Sequence, residues 1–342
     1  MKILKILNKY YDETLDLSFN NLDIGLVNES HIKILLEFPI DTTNKELLIE
    51  RIKKYLLASG FQIDFTVEVN VRINIKKTQG ETTPINKIKN IIVVASGKGG
   101  VGKSTVSANI STALSKQNIK VGLLDADIYG PSLPTIMGSK DKKPLIKNNK
   151  FQPIVRYGVK SISIGNLVEE GNPIMWRGPI ISNTLKQLIT NTEWGDLDYL
   201  IIDLPPGTGD IQITITKNIP VTASIIITTP HILSGVDASR AINMFKKLDI
   251  YIAGIIENMS YYTCKKCNCS ENIFESSLFS TQEICLKHDL NFLGSLPLDS
   301  KMCSNETSNG KFYNAYNDNN VSTYYDTIIS KLFRIISKID SF

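Results

Sequence analysis

The nine residues Gly97-Lys98-Gly99-Gly100-Val101-Gly102-Lys103-Ser104-Thr105 restrict this chain more than any other segment. They follow Ile91 to Ser96 (IIVVAS), an apolar, β-branched run of buried-strand length, and precede Val106, Ile110, Ala113 and Leu114 at helical spacing. Strand, glycine loop and helix in that order form a cradle for phosphate. Glycines let backbone N–H groups approach phosphate oxygens, the helix N-terminus adds positive potential, Lys103 reaches the terminal phosphates and the Ser104 hydroxyl suits magnesium. The same letters also spell G-x-G-x-x-G through Gly97, Gly99 and Gly102, and Asp125 ends the next apolar run, as a dinucleotide-binding fold requires. Lys103-Ser104 decides between the two, because a dinucleotide loop has no use for a lysine and a magnesium-ligating hydroxyl at that point. The expectation is a nucleoside triphosphate site whose phosphate contacts run from Gly97 through Gly99, Gly100, Val101, Gly102, Lys103 and Ser104 to Thr105.

From residue 91 apolar strand candidates alternate with helical segments: Val121 to Leu124, Val159 to Ile164, Leu200 to Ile202, Ser224 to Thr229, Ile252 to Ile256 and Phe292 to Leu296. That alternation predicts an α/β domain over 91–342, a mostly parallel, doubly wound sheet of the P-loop NTPase type with ligands at the carboxyl ends of its strands. Residues 1–75 read as a separate small α+β domain. Ile32, Ile34, Leu36 and Phe38 alternate, as do Ile63, Phe65, Val67, Val69, Val71 and Ile73. Between them a helix opens with a capping box, Thr43 to Glu46, and closes at Gly60. The polar stretch 76–90, with Pro84, reads as a linker.

Two further strand ends carry acids. Tyr199 to Asp203 (YLIID) presents Asp203 as a second magnesium-binding group, followed by the Pro/Gly segment Leu204 to Asp210, suited to switching with the terminal phosphate. Asp125 and Asp127 follow the strand after the phosphate loop. Asp127 is expected to orient the attacking water and Asp125 to lie nearer the magnesium shell, unless either simply caps a turn. Lys98 is a second lysine in a loop that already has Lys103. It makes sense as a cation acting in trans on phosphates bound by a neighbouring subunit, which implies a nucleotide-bridged homodimer.

Five cysteines, with Cys264, Cys267 and Cys269 crowded together, suit reduced thiols and metal chemistry better than a disulfide framework. Cys264 and Cys267 supply two thiolates on one turn, half of a tetrahedral site; two such pairs across a twofold axis give four, enough for a bridging [4Fe-4S] cluster. Cys264-x2-Cys267 followed by Cys285-x2-His288 also has zinc-ribbon spacing within one chain, although Thr281 to His288 reads as a helix. Cys269 is a third local thiolate or a bystander, Cys303 reads as incidental, and His31 and His231 as ordinary structural residues. A net charge of +4 implies no nucleic-acid partner. With no secretory signal and no apolar run of about eighteen residues, the chain is expected to be cytoplasmic, without stable membrane association. The stripe Tyr325, Ile328, Ile329, Leu332, Ile335, Ile336 and Ile339 is expected to pack on the sheet rather than seek a membrane.

With these motifs in place the chain resembles the deviant phosphate-loop ATPases that include MinD, ParA and nitrogenase iron protein. Within them it is most similar to the Mrp/ApbC iron-sulfur cluster carriers. The residues that carry the resemblance are Asp125 to Ser132 (DADIYGPS), Trp176-Arg177-Gly178-Pro179, Asp203 to Asp210 (DLPPGTGD), Gly254 to Tyr261 (GIIENMSY), Cys264-x-x-Cys267 and Gly294 to Asp299 (GSLPLD). The resemblance implies a homodimeric ATPase that takes a cluster from an iron-sulfur donor and passes it to apoproteins, with slow hydrolysis as the switch. The alternative is a MinD/ParA-like positioning ATPase acting on membrane or DNA, which would have no need of Cys264 and Cys267. It also implies Lys98 as the signature lysine and Asn258 as a contact to adenine, a task its amide suits by offering a donor and an acceptor. Residues 1–75 resemble the PaaD/SufT type of domain, with Tyr10-Tyr11-Asp12-Glu13 where an acidic-proline turn is usual. The family's glycines after the cysteine pair are replaced here by Asn268-Cys269-Ser270.

Overall fold

The structure, a computed structural model, describes residues 2–15, 17, 18, 23–28, 31–61, 65–79, 85–167, 178–264, 266, 267, 269–274, 280–299 and 319–341. Trp176, Arg177, Pro84, Asn268 and Cys303 lie outside them. The chain divides into two compact units, Met1–Asn74 and Ile75–Phe342.

In the smaller unit, strand His31–Leu36 pairs antiparallel with Asp23–Asn28 and parallel with Thr66–Val71. A parallel pair needs a crossover, and helix Thr42–Ala58 supplies it. The period-two alternation buries Ile32, Ile34, Leu36, Val67 and Val69, and the helix buries Leu48, Ile52 and Leu56. The strand Asp23–Asn28 is absent from the sequence expectation. The helix is capped by Asp41 rather than by a Thr43 box: its carboxylate accepts from Asn44 N at 2.9 Å and from Asn44 Nδ2 at 2.6 Å, leaving both threonines inside the first turn. Asp12, buried, accepts from Tyr10 Oη and Arg51 Nε, each at 2.8 Å, so Tyr10 and Asp12 of the tyrosine-acid segment belong to this core while Tyr11 and Glu13 are exposed. His31 bonds Thr66 Oγ1 at 2.6 Å and Glu68 at 3.2 Å.

In the larger unit, eight strands among the described residues form one sheet in the order Ile154–Arg156, Val159–Ser163, Val121–Asp125, Leu197–Asp203, Ile88–Ala95, Ala223–Thr228, Ile252–Glu257, Phe292–Ser295. Every neighbouring pair is parallel except the first. This is the α/β doubly wound sheet that the strand and helix alternation predicts. Its central strand begins at Ile88 rather than Ile91, and the antiparallel edge strand Ile154–Arg156 is an addition to the expected set. Strands covered by helices on both faces are apolar throughout, which is why IIVVAS and YLIID read as continuous runs. Leu200 and Ile202 join Leu185, Leu188 and Trp194 on one face. On the other, Tyr199 meets Phe333 of the carboxyl-terminal helix Asn319–Ser337 edge to face at 4.6 Å.

That helix buries Tyr325, Ile328, Ile329, Leu332, Phe333 and Ile336, so its stripe is a packing face; Ile335 and Ile339 lie at its margin. No helix among the described residues is long and apolar enough to cross a membrane. Of the stretch expected as a linker, Lys76 to Gln79 falls inside the larger unit and is bonded within it. Lys76 Nζ donates to Ser337 O at 2.7 Å, Lys76 N to Asn90 Oδ1 at 3.0 Å, and Gln79 Nε2 to Ile219 O at 2.6 Å.

Candidate nucleotide and cluster sites

Parallel strands end on one edge, and register brings the polar groups together there. Asp203 stands opposite Asp125 on the neighbouring strand, and Asp125 opposite Ser163 on the next. The loop Gly97–Gly102 crosses the same edge and runs into helix Lys103–Lys116. Two glycines there are required by geometry. A Cβ on Gly97 would lie 2.2 Å from the backbone carbonyl of Asp237, and Gly102, at φ +80°, would place one 2.3 Å from Asn258 Nδ2. Gly100 also has positive φ, at +79°. Val101 is buried and its carbonyl accepts from Asn258 Nδ2 at 2.9 Å. Asn258 therefore braces the phosphate loop, a task that the adenine contact implied by resemblance does not include.

Asp203 is fully buried, and three polar side chains converge on its carboxylate. Lys103 Nζ lies 2.8 Å from Oδ1, Ser107 Oγ donates to Oδ1 at 2.8 Å and Ser104 Oγ to Oδ2 at 2.5 Å. Ser107 was missed from sequence, although it follows Lys103 by one helical turn and faces the same strand end. Asp125, also fully buried, accepts from Asp127 N at 3.1 Å, Leu133 N at 3.3 Å and Ser163 Oγ at 2.9 Å. Burial first, then the neighbouring Asp203 charge, pushes its carboxyl up to about 7, against the pull of the Ser163 hydroxyl and Lys103. Ser163 is a second residue sequence reasoning missed; a hydroxyl at the end of a sheet strand is its only signal.

Asp127 is part-exposed and its Oδ1 accepts from Gly130 N at 3.2 Å. Burial raises its carboxyl while Lys103 pulls it down. It lines an open cleft with Tyr129, Pro205, Pro206, Asp210 and Gln212, so the acid and the Pro/Gly segment face each other. That segment is tied to the loop strand by Gly207 N, which donates to Ser96 O at 3.0 Å, and is braced by Gln212 Nε2 on Pro205 O. Lys98 is half-buried, its carbonyl accepting from Ser96 Oγ at 2.8 Å, and Thr105 accepts from Asn109 through its carbonyl at 2.8 Å.

The cysteines stand on a second feature of the same edge. Past Asn258, strand Tyr261–Thr263 turns back as Ser270–Asn272, and Cys264 N donates to Cys269 O at 2.9 Å. Cys264, Cys267 and Cys269 thus share one hairpin end, Cys264 half-buried and the other two exposed. The backbone N–H of Cys269, then the thiols of Cys269 and Cys264, hold the Cys267 thiol below its usual range. Cys285 is elsewhere: it is 4% exposed, packed in the apolar core from helix Thr281–His288, and burial pushes its thiol up to about 11. No group of three or more His, Cys, Asp or Glu side chains among the described residues can hold a metal ion, which leaves the zinc-ribbon spacing without a single-chain site. His231 caps helix Ile232–Lys247, accepting from Leu233 N at 3.2 Å.

Residues 87–333, which hold the loop, the acids and the cysteine hairpin, match the family described as ParA: NUBPL iron-transfer P-loop NTPase. The chain belongs to this family. Among relatives of this NTPase, the iron-sulfur cluster carrier protein of Salmonella typhimurium is 41% identical over 271 residues, 78% of this chain and 72% of that one. The iron-sulfur cluster transfer protein NUBPL of Dictyostelium discoideum is 41% identical over 274 residues, 78% of this chain and 82% of its own. Among solved structures, a nucleotide-binding protein from Archaeoglobus fulgidus in complex with ADP has a TM-score of 0.56 at 35% identity, covering 64% of this NTPase and 85% of that chain. The cell division ATPase MinD of Pyrococcus furiosus has a TM-score of 0.54 at 19% identity over 72% of this chain and 99% of its own, a likeness of fold alone.

Proposed function

We propose that this NTPase carries iron-sulfur clusters from a donor to apoproteins as a homodimer whose apposition is governed by ATP. The observation that carries the reading is the connection between the two sites. The strand Ile252–Glu257 leads into Asn258, which braces the phosphate loop at Val101, and then directly into the hairpin that exposes Cys264 and Cys267. A phosphate loop and a cluster hairpin that share one rigid segment form a mechanical pair. The names of the Salmonella and Dictyostelium relatives support the cargo, and the ADP in the Archaeoglobus neighbour supports the nucleotide.

Each residue has a task in this scheme. The backbone from Gly97 to Gly102 receives the phosphates, and Lys103 leaves Asp203 for their charge. Ser104 and Asp203 are hard oxygen donors meeting at the helix N-terminus, a set that fits magnesium. When bound, magnesium neutralises charge on the terminal phosphates. Asp127 faces the cleft where water would be oriented for slow hydrolysis, and Lys98 reaches the partner's phosphates. Cys264 and Cys267 of each subunit hold the cluster as cargo. Thiols of this kind stay reduced in the cytoplasm, where we place the protein. The Met1–Asn74 unit, with its own core, is read as a small α+β domain fused ahead of the ATPase.

Anaerobic reconstitution is expected to load about four irons per dimer, as a cubane on four thiolates requires. The double substitution Cys264→Ala, Cys267→Ala is expected to abolish loading while leaving ATP binding intact. Iron retained by that variant would overturn the ligand assignment.

A further inference from the structure

Outside both sites, one segment concentrates the charge of the molecule. Residues 139–151 contain Lys140, Lys142, Lys143, Lys147 and Lys150 against a single acid, Asp141; their net +4 equals that of the whole chain, so the rest sums to neutrality. All five lysines are exposed, and Lys150 is paired with Glu193 at 3.1 Å. Between them Leu145 and Ile146 are 74% and 69% exposed.

This segment is built rather than loose. Ile146–Lys147 pairs antiparallel with Lys150–Phe151 through Asn148 and Asn149, whose φ values of 53° and 57° are those of a tight hairpin turn. Phe151 N donates to Asn191 O and Glu193 N to Phe151 O, both at 2.8 Å, which fixes the hairpin to the body of the unit. Its root also leads to the nucleotide acids. Asn166 Nδ2 donates to Ser139 O at 2.8 Å and to Lys142 O at 3.0 Å, and Asn166 sits in the turn after Ser163, whose hydroxyl holds Asp125.

We infer that the segment 139–151, the hairpin 146–151 with the turn before it, is the docking surface for a client protein that presents acidic side chains around an apolar contact. The inference rests on the carrier reading, since a carrier must meet its clients. Lysines steer an acidic partner and set its orientation, and two aliphatic side chains held in water gain from being covered. An anionic membrane suits the geometry less well, because the leading end is the polar pair Asn148-Asn149, whereas an inserting element leads with its apolar residues. A nucleic-acid backbone has no counterpart for Leu145 and Ile146.

The test uses the full chain and a fluorescent peptide in which glutamates surround a pair of leucines, beside vesicles of phosphatidylserine with phosphatidylcholine and a DNA duplex. The peptide is expected to bind, and Lys142→Glu with Lys147→Glu to weaken it about tenfold, with a further loss on Leu145→Ser and Ile146→Ser. Nucleotide binding and iron loading are expected to stay unchanged in these surface variants. Equal peptide binding by wild type and variants, or preference for vesicles or duplex, overturns the inference. If the chain loads no iron yet binds the peptide through the hairpin, the docking surface stands and the carrier reading falls.

Discussion

Cys267 and Cys285 have the same side chain and opposite chemistry. Cys267 is exposed, and the Cys269 N–H stabilises its thiolate; Cys285 is enclosed by apolar groups that stabilise the thiol. Because the thiolate is the reacting form, a lowered value makes Cys267 more reactive than an ordinary thiol. A value raised to about 11 keeps Cys285 protonated until the solution is strongly basic. In cluster-free, folded protein, iodoacetamide is therefore expected to label Cys267 at least about tenfold faster than Cys285 near neutral pH, with Cys285 labelling only after denaturant is added. Peptide mass spectrometry reads both rates. Equal rates in the folded protein would show that the enclosure of Cys285 is wrong. Asp125 and Asp203 show the same dependence on surroundings: the two lie side by side, yet Lys103 and two hydroxyls converge on Asp203, whereas Asp125 is held by backbone N–H groups and Ser163.

At the scale of an element, the carboxyl-terminal helix is the clearest case of a pattern with two meanings. An amphipathic stripe is compatible with a membrane surface or with a sheet, and the ring contact between Phe333 and Tyr199 selects the sheet. Phe333 is fully buried, so Phe333→Ala is expected to destabilise the large unit by about 3–5 kcal/mol. Urea unfolding monitored by circular dichroism measures it; a loss below about 1 kcal/mol would mean that the helix is a dispensable tail. The segment 139–151 has the reverse character. Its aliphatic residues Leu145 and Ile146 stand mostly in water, and backbone bonds at its root hold it in place.

Over the whole molecule, the proposal that Lys98 acts in trans predicts that nucleotide is coupled to assembly. Lys98→Ala is expected to leave ATP binding nearly unchanged, because Lys103 and the loop backbone remain, while ATP-dependent dimerisation is lost and hydrolysis falls at least about tenfold. Sedimentation velocity with and without ATP reads the loss of dimerisation; a variant that dimerises as wild type does would overturn the trans assignment of Lys98. Much of this architecture is legible without coordinates. The nine-residue loop, the apolar strands ending in Asp125 and Asp203 and the paired cysteines are local signals, because a buried parallel strand, a glycine turn and a two-thiolate turn each depend on residues close together in sequence. Ser107 and Ser163 on the acids, Asn258 on the loop, and the opposite surroundings of Cys267 and Cys285 were not legible. Apart from Cys267, whose neighbours Cys264 and Cys269 are local, they join residues far apart in the chain, through strand order and register, and only folding brings those side chains within hydrogen-bond reach or shuts them away from water.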